Sequence, residues 1–251
     1  MNDNQALIIF DFDGTLVKES LHRYVGGGLW RRTNNLTEKK VYHLDEELTK
    51  KITIELTQEF LANKSSGWKN KEQLVLLFKN IISSGHKIAI ASFNDYPDAI
   101  KYSLEQLLGE EAVKNIYIKS GLPAYKYEEI QLCNKVPYIE EIMRNTKITN
   151  KANVFFMDDD PKNVIAAKEF GIQAVLVEED GIKYIREAFN FLSQFNKIDV
   201  KLEDPDTEHS SSDEDESYLE QDAMKKIGFY PMDKDCFSDT PWEGDNVSTL
   251  G

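Results

Sequence analysis

The sequence predicts an α/β fold in which a central parallel sheet lies between two layers of helices. Three observations support this prediction. Short apolar runs have the length and continuity of buried strands, and they comprise residues 6–10, 87–91, 115–118, 153–157 and 174–177. Several segments between them repeat apolar side chains every three or four residues, as one face of a helix does. Acidic and hydroxyl side chains directly follow some of the strands, at the edge where parallel sheets form their sites.

The first strand leads into a pair of aspartates. Asp11 follows the apolar run 6–10, Asp13 comes two residues later, and Gly14 permits a sharp turn of the chain. Two carboxylates this close resist joint ionisation unless a positive charge binds beside them. Because Mg²⁺ binds one or two protein carboxylates together with phosphate oxygens, this stretch favours a divalent-cation site over an ordinary acidic turn.

Residues 18–70 predict an insertion beside this pair. Glycines 26–28 are not followed by the Gly-Lys-Ser or Gly-Lys-Thr of a nucleotide-binding loop, so a flexible flap is predicted, with a plain loop as the alternative. Residues 44–61 have the four-residue apolar spacing of an amphipathic helix, with Asp45 near its start, so we expect a small helical insert. Three arginines would contact an anionic substrate or lie on a solvated surface, and these are Arg23, Arg31 and Arg32.

The rest of the chain alternates helices with strands, and several helices carry their own start and stop signals. Residues 72–84 predict a helix that ends at Gly85, and Asp95 caps the next helix, which ends at Gly109. Three further helices are predicted over residues 137–144, 161–170 and 182–195. The middle one has its N-cap, a first-turn proline and a stop glycine in Asp160, Pro161 and Gly171.

Polar side chains at the carboxyl ends of the strands predict the functional site. Ser92 and Asn94 follow the second strand, and the acidic run 158–160 follows the fourth. Because parallel strands end at one edge of the sheet, we expect these residues to meet Asp11 and Asp13.

Charge and composition divide the chain in two. The 251 residues are 41% hydrophobic, which is enough for one domain over residues 1–200 with an appendage over residues 201–251. The net charge of the chain is −14. Residues 201–251 carry 15 acidic and 4 basic side chains, so this segment supplies most of the negative charge. Residues 203–222 contain ten acidic residues and no lysine or arginine, a composition typical of disorder. We expect this acidic tail, residues 201–251, either to bind a protein partner or to remain solvated.

The same composition bounds the setting of the protein. A broad nucleic-acid-binding role requires a basic face, which this acidic balance does not favour. Cys133 and Cys236 form no disulfide framework, which fits a reduced cytoplasmic setting. We expect no secretory signal, because the first residues lack a basic region, and no run has the length of a membrane span.

Two motifs resemble those of a known superfamily. The run from Asp11 to Leu16 reads Asp-Phe-Asp-Gly-Thr-Leu and resembles the first motif of the haloacid dehalogenase (HAD) superfamily. The run that starts at Asp158 reads Asp-Asp-Asp-Pro-Lys-Asn and resembles its fourth motif. Most members are Mg²⁺-dependent phosphatases with a three-layer, Rossmann-like fold. The resemblance covers residues 7–177 and implies this fold, a phosphatase activity and Mg²⁺ as the cofactor.

The resemblance implies a role for each matching residue. Asp11 corresponds to the nucleophile that forms an aspartyl-phosphate, and Asp13 to the general acid and base. Ser92 would bind a phosphate oxygen, and Asn94 would add a second hydrogen bond. Lys135 is the preferred basic residue of the third motif, where its ammonium would screen the gathered negative charge. Two other lysines are its rivals for this role, Lys126 and then Lys119.

The resemblance also implies how the metal would be held. Its ligands would be the Asp11 carboxylate, the Asp13 backbone carbonyl and a carboxylate from Asp158 or Asp159. Asp158 is preferred as the direct ligand because it emerges first from the strand, and Asp159 would act through a water molecule. Asp160 is better explained as a helix cap.

The motif forms are most similar to small HAD phosphatases with little or no cap, namely the magnesium-dependent phosphatases and the carboxyl-terminal-domain-type protein phosphatases. An open site of this kind implies a phosphoprotein substrate, including phosphotyrosine. The insert over residues 18–70 is longer than a bare flap, which leaves a small-metabolite phosphatase as an alternative. The other alternative is a HAD scaffold that serves as a binding module. The acidic tail resembles those of secreted bacterial effectors, so secretion into a host cell is the alternative to a cytoplasmic location.

Overall fold

The computed structural model describes residues 5–35, 46–121, 134–178 and 182–195. Several features singled out in the sequence lie outside these residues, and they are Asp45, Lys126, Cys133, Cys236 and the acidic segment 201–251. Within the described ranges, every helix is too short or too polar to cross a membrane.

The described strands form one five-stranded sheet in which every neighbouring pair is parallel. The strands are β1 (Leu7–Phe10), β2 (Lys87–Ala91), β3 (Tyr117–Lys119), β4 (Val154–Asp158) and β5 (Gln173–Leu176). Their order across the sheet is β3-β2-β1-β4-β5. The first strand is therefore central, and the strands that carry the second and fourth motifs lie on either side of it.

Helices cover both faces of this sheet. They are α1 (Leu21–Asn35), α2 (Glu46–Ala62), α3 (Lys71–Ser83), α4 (Pro97–Leu108), α5 (Glu110–Val113), α6 (Val136–Thr146), α7 (Pro161–Phe170) and α8 (Lys183–Ser193). The side chains of β1 alternate between the faces: Ile8 and Phe10 pack in one apolar cluster, whereas Leu7 and Ile9 pack in another. The three-layer α/β prediction is confirmed.

Most predicted helix ends agree with the structure to within two residues. Asp160 caps α7, since its side chain accepts a hydrogen bond from the Lys162 backbone N–H at 2.9 Å. Gly171 ends that helix in the left-handed region, with φ of 96°. These predictions are confirmed because each signal acts within one turn of its own chain.

The predicted cap of α4 is wrong. Tyr96, not Asp95, is the N-cap residue, and the Asn94 side chain accepts a hydrogen bond from the Tyr96 backbone N–H at 2.8 Å. The short helix α5, which directly follows Gly109, was not expected from the sequence.

The flexible flap predicted around glycines 26–28 is also wrong, because these residues lie in the middle of α1. The glycines allow close packing. A Cβ on Gly28 would lie 2.5 Å from Leu56 Cδ2, and a Cβ on Gly26 would lie 3.1 Å from the Tyr96 hydroxyl. Helix α1 therefore approaches its neighbours more closely than a longer side chain would permit.

Helices α1 and α2 form the predicted helical insert, and ion pairs join them. Arg32 binds Glu55 at 2.7 Å and Glu59 at 2.6 Å, so it holds the two helices together instead of facing a substrate. Arg23 and Arg31 are exposed.

Candidate active site

Two aspartates meet at the carboxyl ends of the central strands. Asp11 continues β1, and its backbone N–H donates a hydrogen bond to the Met157 carbonyl of β4 at 2.8 Å. Asp158 is the last residue of β4 and is fully buried, and Asp11 is only 5% exposed. Because β1 and β4 are neighbours in register, two carboxylates from distant parts of the chain share one buried position.

Lys135 joins these two carboxylates. It is the N-cap residue of α6, and its Nζ lies 2.5 Å from Asp11 Oδ1 and 2.8 Å from Asp158 Oδ2. The side chain of Lys135 is only 3% exposed, so the pairing takes place away from water. Lys119, a rival for this position, instead binds Glu141 at 2.7 Å.

Asp158 has further hydrogen-bond partners. Its Oδ1 accepts from the Asp160 backbone N–H at 2.8 Å, and the Asn163 amide donates to Oδ1 and Oδ2 at 3.1 and 3.2 Å. Asn163 was missed in the sequence, although its place in the first turn of a helix that begins right after Asp158 was a usable signal. The Asp158 carboxylate is thus held by three different residues.

Asp13 lies beside the start of α1 and is partly buried. Its Oδ1 accepts from the Leu21 backbone N–H at 2.8 Å. Its Oδ2 accepts from the His22 backbone N–H at 3.4 Å and from the Asn94 amide at 3.1 Å. Ser20 accepts from the next N–H of the helix, so Asp13 and Ser20 together satisfy the first turn of α1.

Asp159 differs from Asp11, Asp13 and Asp158 because it is exposed. The Thr15 hydroxyl donates to its Oδ1 at 3.1 Å. A Cβ on Gly14 would overlap the Asp159 carboxylate, and Gly14 has φ of +76°, a backbone conformation that favours glycine. Ligand oxygens from Asp11, Asp158 and Asp159 all lie within 4.8 Å of one another.

Ser92 and Asn94 lie at the end of β2, as the strand order predicts. Both are almost fully buried, at 1% exposure each. The Asn94 backbone N–H donates to Ser92 Oγ at 3.3 Å, and the Asn94 side chain contacts Asp13 and the Tyr96 backbone. Ser92 and Asn94 therefore lie on the wall next to Asp13.

Burial and charge shift the pKa values of these groups in ways that depend on each other. Burial raises the pKa of Asp11 well above its ordinary value, and the ammonium of Lys135 opposes part of that rise. Burial by itself lowers the pKa of Lys135, but the carboxylates of Asp11 and Asp158 more than offset this, so the pKa is raised. Burial also raises the pKa of Asp13, although several hydrogen bonds oppose it.

All seven predicted site residues line one cavity of about 300 Å³, together with Ser20, His22, Phe93, Asp160 and Asn163. A larger cavity of about 440 Å³ lies near the amino ends of β2 and β3 and includes none of them. The chemistry-bearing residues therefore converge in the smaller cavity, at the carboxyl edge of the sheet.

Comparisons with known sequences identify a protein family. A family described as Acid Phosphatase matches residues 4–197. No curated protein sequence matches the chain.

Solved structures are similar at low sequence identity. The HAD domain of the effector protein Lem4 from Legionella pneumophila is 16% identical, with a TM-score of 0.47, over 77% of this chain and 98% of that one. A HAD-superfamily hydrolase from Ehrlichia chaffeensis is 16% identical, with a TM-score of 0.44, over 76% and 98%. The phosphatase-containing N-terminal part of BF1531 from Bacteroides fragilis, complexed with Mg, is 19% identical, with a TM-score of 0.41, over 76% and 40%.

Proposed function

The chain belongs to the Acid Phosphatase family, and on that premise we propose that it is a phosphatase of the HAD type, which hydrolyses phosphomonoesters through a phosphoryl group carried on Asp11. The observation that supports this most directly is the contact of Lys135 with both Asp11 and Asp158. A buried lysine between two carboxylates lowers the repulsion that an incoming phosphate dianion would meet.

The proposed reaction has two steps. A carboxylate oxygen of Asp11 attacks phosphorus, the bond from phosphorus to the ester oxygen breaks, and Asp13 gives that oxygen a proton. Asp13 then takes a proton from a water molecule, whose oxygen attacks the same phosphorus. The bond between Asp11 and phosphorus breaks, phosphate leaves, and both aspartates return to their starting state. The raised pKa of Asp13 suits a group that must first hold a proton and then accept one.

The donor atoms suit Mg²⁺, because they are oxygens from three carboxylates that lie within reach of one ion. When bound, Mg²⁺ would supply positive charge to the phosphoryl oxygens. We propose Asp11, Asp159 and the Asp13 backbone carbonyl as its protein ligands. Both carboxylate oxygens of Asp158 already accept hydrogen bonds, so we propose Asp159 as the direct ligand. Asp158 would then contact the ion through a water molecule.

For the substrate, we propose a phosphate carried on an aromatic ring, as in a phosphotyrosine of a protein. Phe93 and His22 both line the cavity, so an aromatic leaving group would have flat side chains to pack against. A panel of phosphotyrosine, phosphoserine and small-metabolite phosphoesters tests this. A higher kcat/KM for the phosphotyrosine peptides is expected, and equal or higher values for small aliphatic esters would refute the aromatic preference.

The test of the activity itself uses para-nitrophenyl phosphate with the full chain. We expect turnover with Mg²⁺, its loss in excess chelator and its recovery when Mg²⁺ is restored. Asp11→Asn is expected to abolish turnover with the fold intact, since an amide oxygen is a poor nucleophile. Glu187→Gln on α8 is the matched control, because it also removes one carboxylate but lies far along the chain in a surface pair with Lys183. Full activity of Asp11→Asn, or undiminished activity in chelator, would exclude the mechanism.

We also propose that residues 1–200 carry the catalytic machinery, because the family match ends at residue 197. Residues 201–251 would then serve a separate role, for which their acidic composition favours a basic protein partner. A chain that ends near Lys201 should keep its kcat/KM on para-nitrophenyl phosphate. A large loss would assign part of the machinery to the tail.

A further inference from the structure

His22 is the one ring nitrogen donor among the described residues that line the active-site cavity. It is the second residue of α1, and its backbone N–H already binds Asp13. The imidazole packs against the Tyr96 ring, with centroids 5.5 Å apart. The sequence motifs give this histidine no role, and the reaction above does not use it.

One hydrogen bond decides which nitrogen of His22 carries hydrogen. The Asp95 backbone N–H donates to Nδ1 of His22 at 3.3 Å, so Nδ1 acts as an acceptor. A neutral imidazole with an acceptor at Nδ1 must carry its hydrogen at Nε2. No described residue accepts a hydrogen bond from that Nε2. The imidazole is therefore held in place through Nδ1, and its Nε2–H is available to donate a hydrogen bond to a ligand.

We propose that His22 Nε2–H donates a hydrogen bond to the ester oxygen of the substrate, the atom that leaves when phosphorus is transferred. This inference rests on the proposed function, since it requires that reaction. It makes His22, a residue of the helical insert, a contact of the substrate. The first turn of α1 would then bind Asp13 through its backbone N–H groups and the ester oxygen through the His22 side chain.

We assign the His22 hydrogen bond to the ester oxygen rather than to the phosphate oxygens because of the positions of Lys135 and Asp13. Lys135 contacts Asp11 and Asp158, on the side of the nucleophile. The backbone N–H of His22 instead binds Asp13, the group that must reach the ester oxygen to protonate it, so α1 carries the imidazole beside that acid. An ester oxygen that gains negative charge as its bond breaks is stabilised by a fixed donor.

Two substitutions of His22 distinguish the role of Nδ1 from the role of Nε2. In His22→Asn, the side-chain oxygen can still accept from the Asp95 N–H, as Nδ1 does, but no donor reaches the position of Nε2. In His22→Gln, the amide nitrogen can occupy the position of Nε2 and donate there. Both variants therefore keep a polar amide at this position, and only His22→Gln has a donor at the position of Nε2.

The readout is kcat/KM with Mg²⁺ on two esters, phenyl phosphate and para-nitrophenyl phosphate. The nitro group stabilises the departing oxygen by itself, so the second ester depends less on a hydrogen bond. We expect His22→Asn to lower kcat/KM on phenyl phosphate by about tenfold to hundredfold, the effect of one hydrogen bond to a charged group. The loss on para-nitrophenyl phosphate should be clearly smaller, and His22→Gln should restore much of the activity on phenyl phosphate.

The ratio of the two esters within one variant does not depend on how much protein is folded. A selective loss in His22→Asn, reversed in His22→Gln, supports the donor. Equal losses on both esters, or no loss, overturn the inference and leave the proposed phosphatase mechanism in place. A wild-type protein that hydrolyses neither ester with Mg²⁺ would instead overturn the proposed function, and this inference with it.

Discussion

Removal of the Lys135 ammonium should destabilise the protein strongly. Lys135→Met keeps an unbranched side chain of similar length but leaves two buried carboxylates without their cation. Asp11 and Asp158 are almost fully shielded from water, so neither can recover its hydration in place. The decrease in the free energy of unfolding should therefore be that caused by an unpaired buried charge, which is larger than that caused by breaking a surface ion pair.

The magnitude follows from this burial. Breaking a buried ion pair by removing one partner costs about 3–5 kcal/mol. Lys119→Met is the matched control, because its pair with Glu141 is about one-third exposed on each side. Such a pair contributes less than about 1 kcal/mol to the free energy of unfolding. The two lysine variants should differ several-fold in their effect although each removes one ammonium.

Urea unfolding in chelator, followed by circular dichroism, measures both variants against the wild type. With a slope of about 2 kcal/mol per molar urea, Lys135→Met should shift the midpoint by about 2 M and Lys119→Met by less than about 0.5 M. Adding Asp158→Asn to Lys135→Met should recover part of the loss, since one of the two stranded carboxylates is then neutral. Equal midpoints for the two lysine variants would refute the argument from burial.

Two further predictions concern stability. Gly27→Ala should raise the free energy of unfolding by about 0.5–1 kcal/mol, because no described atom lies within 4 Å of the added methyl group, whereas Gly28→Ala should lower it because Leu56 blocks that side; thermal unfolding of the pair measures this, and equal shifts would contradict it. Burial lowers the pKa of His86, and its Nδ1 accepts from the Ala6 N–H, so the unfolded chain binds a proton more readily than the folded one. The free energy of unfolding should thus fall as the pH drops from 7.5 to 5.5, by less than about 1.4 kcal/mol per pH unit for this one group. His86→Asn, which keeps an acceptor but does not titrate, should show a shallower fall in urea unfolding at each pH, and parallel curves would contradict the assignment.

Local signals in the sequence were sufficient for the strands and for several helix ends. The apolar run of β1 is continuous because the strand is buried on both faces, and no amphipathic helix has that pattern. The capping of α7 by Asp160 depends on a hydrogen bond to a residue two positions away. At glycines 26–28 the same signals failed because distant partners decided the conformation. Glycines 26–28 are typical of loops, yet they lie in α1, where a Cβ on Gly28 would overlap Leu56 and one on Gly26 would crowd the Tyr96 hydroxyl.

The residues that meet at the site divide in the same way. Asp11, Asp13, Ser92 and Asp158 each follow a strand, and parallel strands must end at one edge, so their convergence was predictable from local pattern. The motif resemblance favoured Lys135 over its two rivals, and the place of Asn163 in the first turn of α7 was a usable local signal. The bridge that Lys135 forms between Asp11 and Asp158 and the anchoring of His22 by the Asp95 backbone were not predictable from local pattern. Those contacts join separate elements across the sheet edge, and their geometry depends on strand order and helix packing, which no short stretch of sequence specifies.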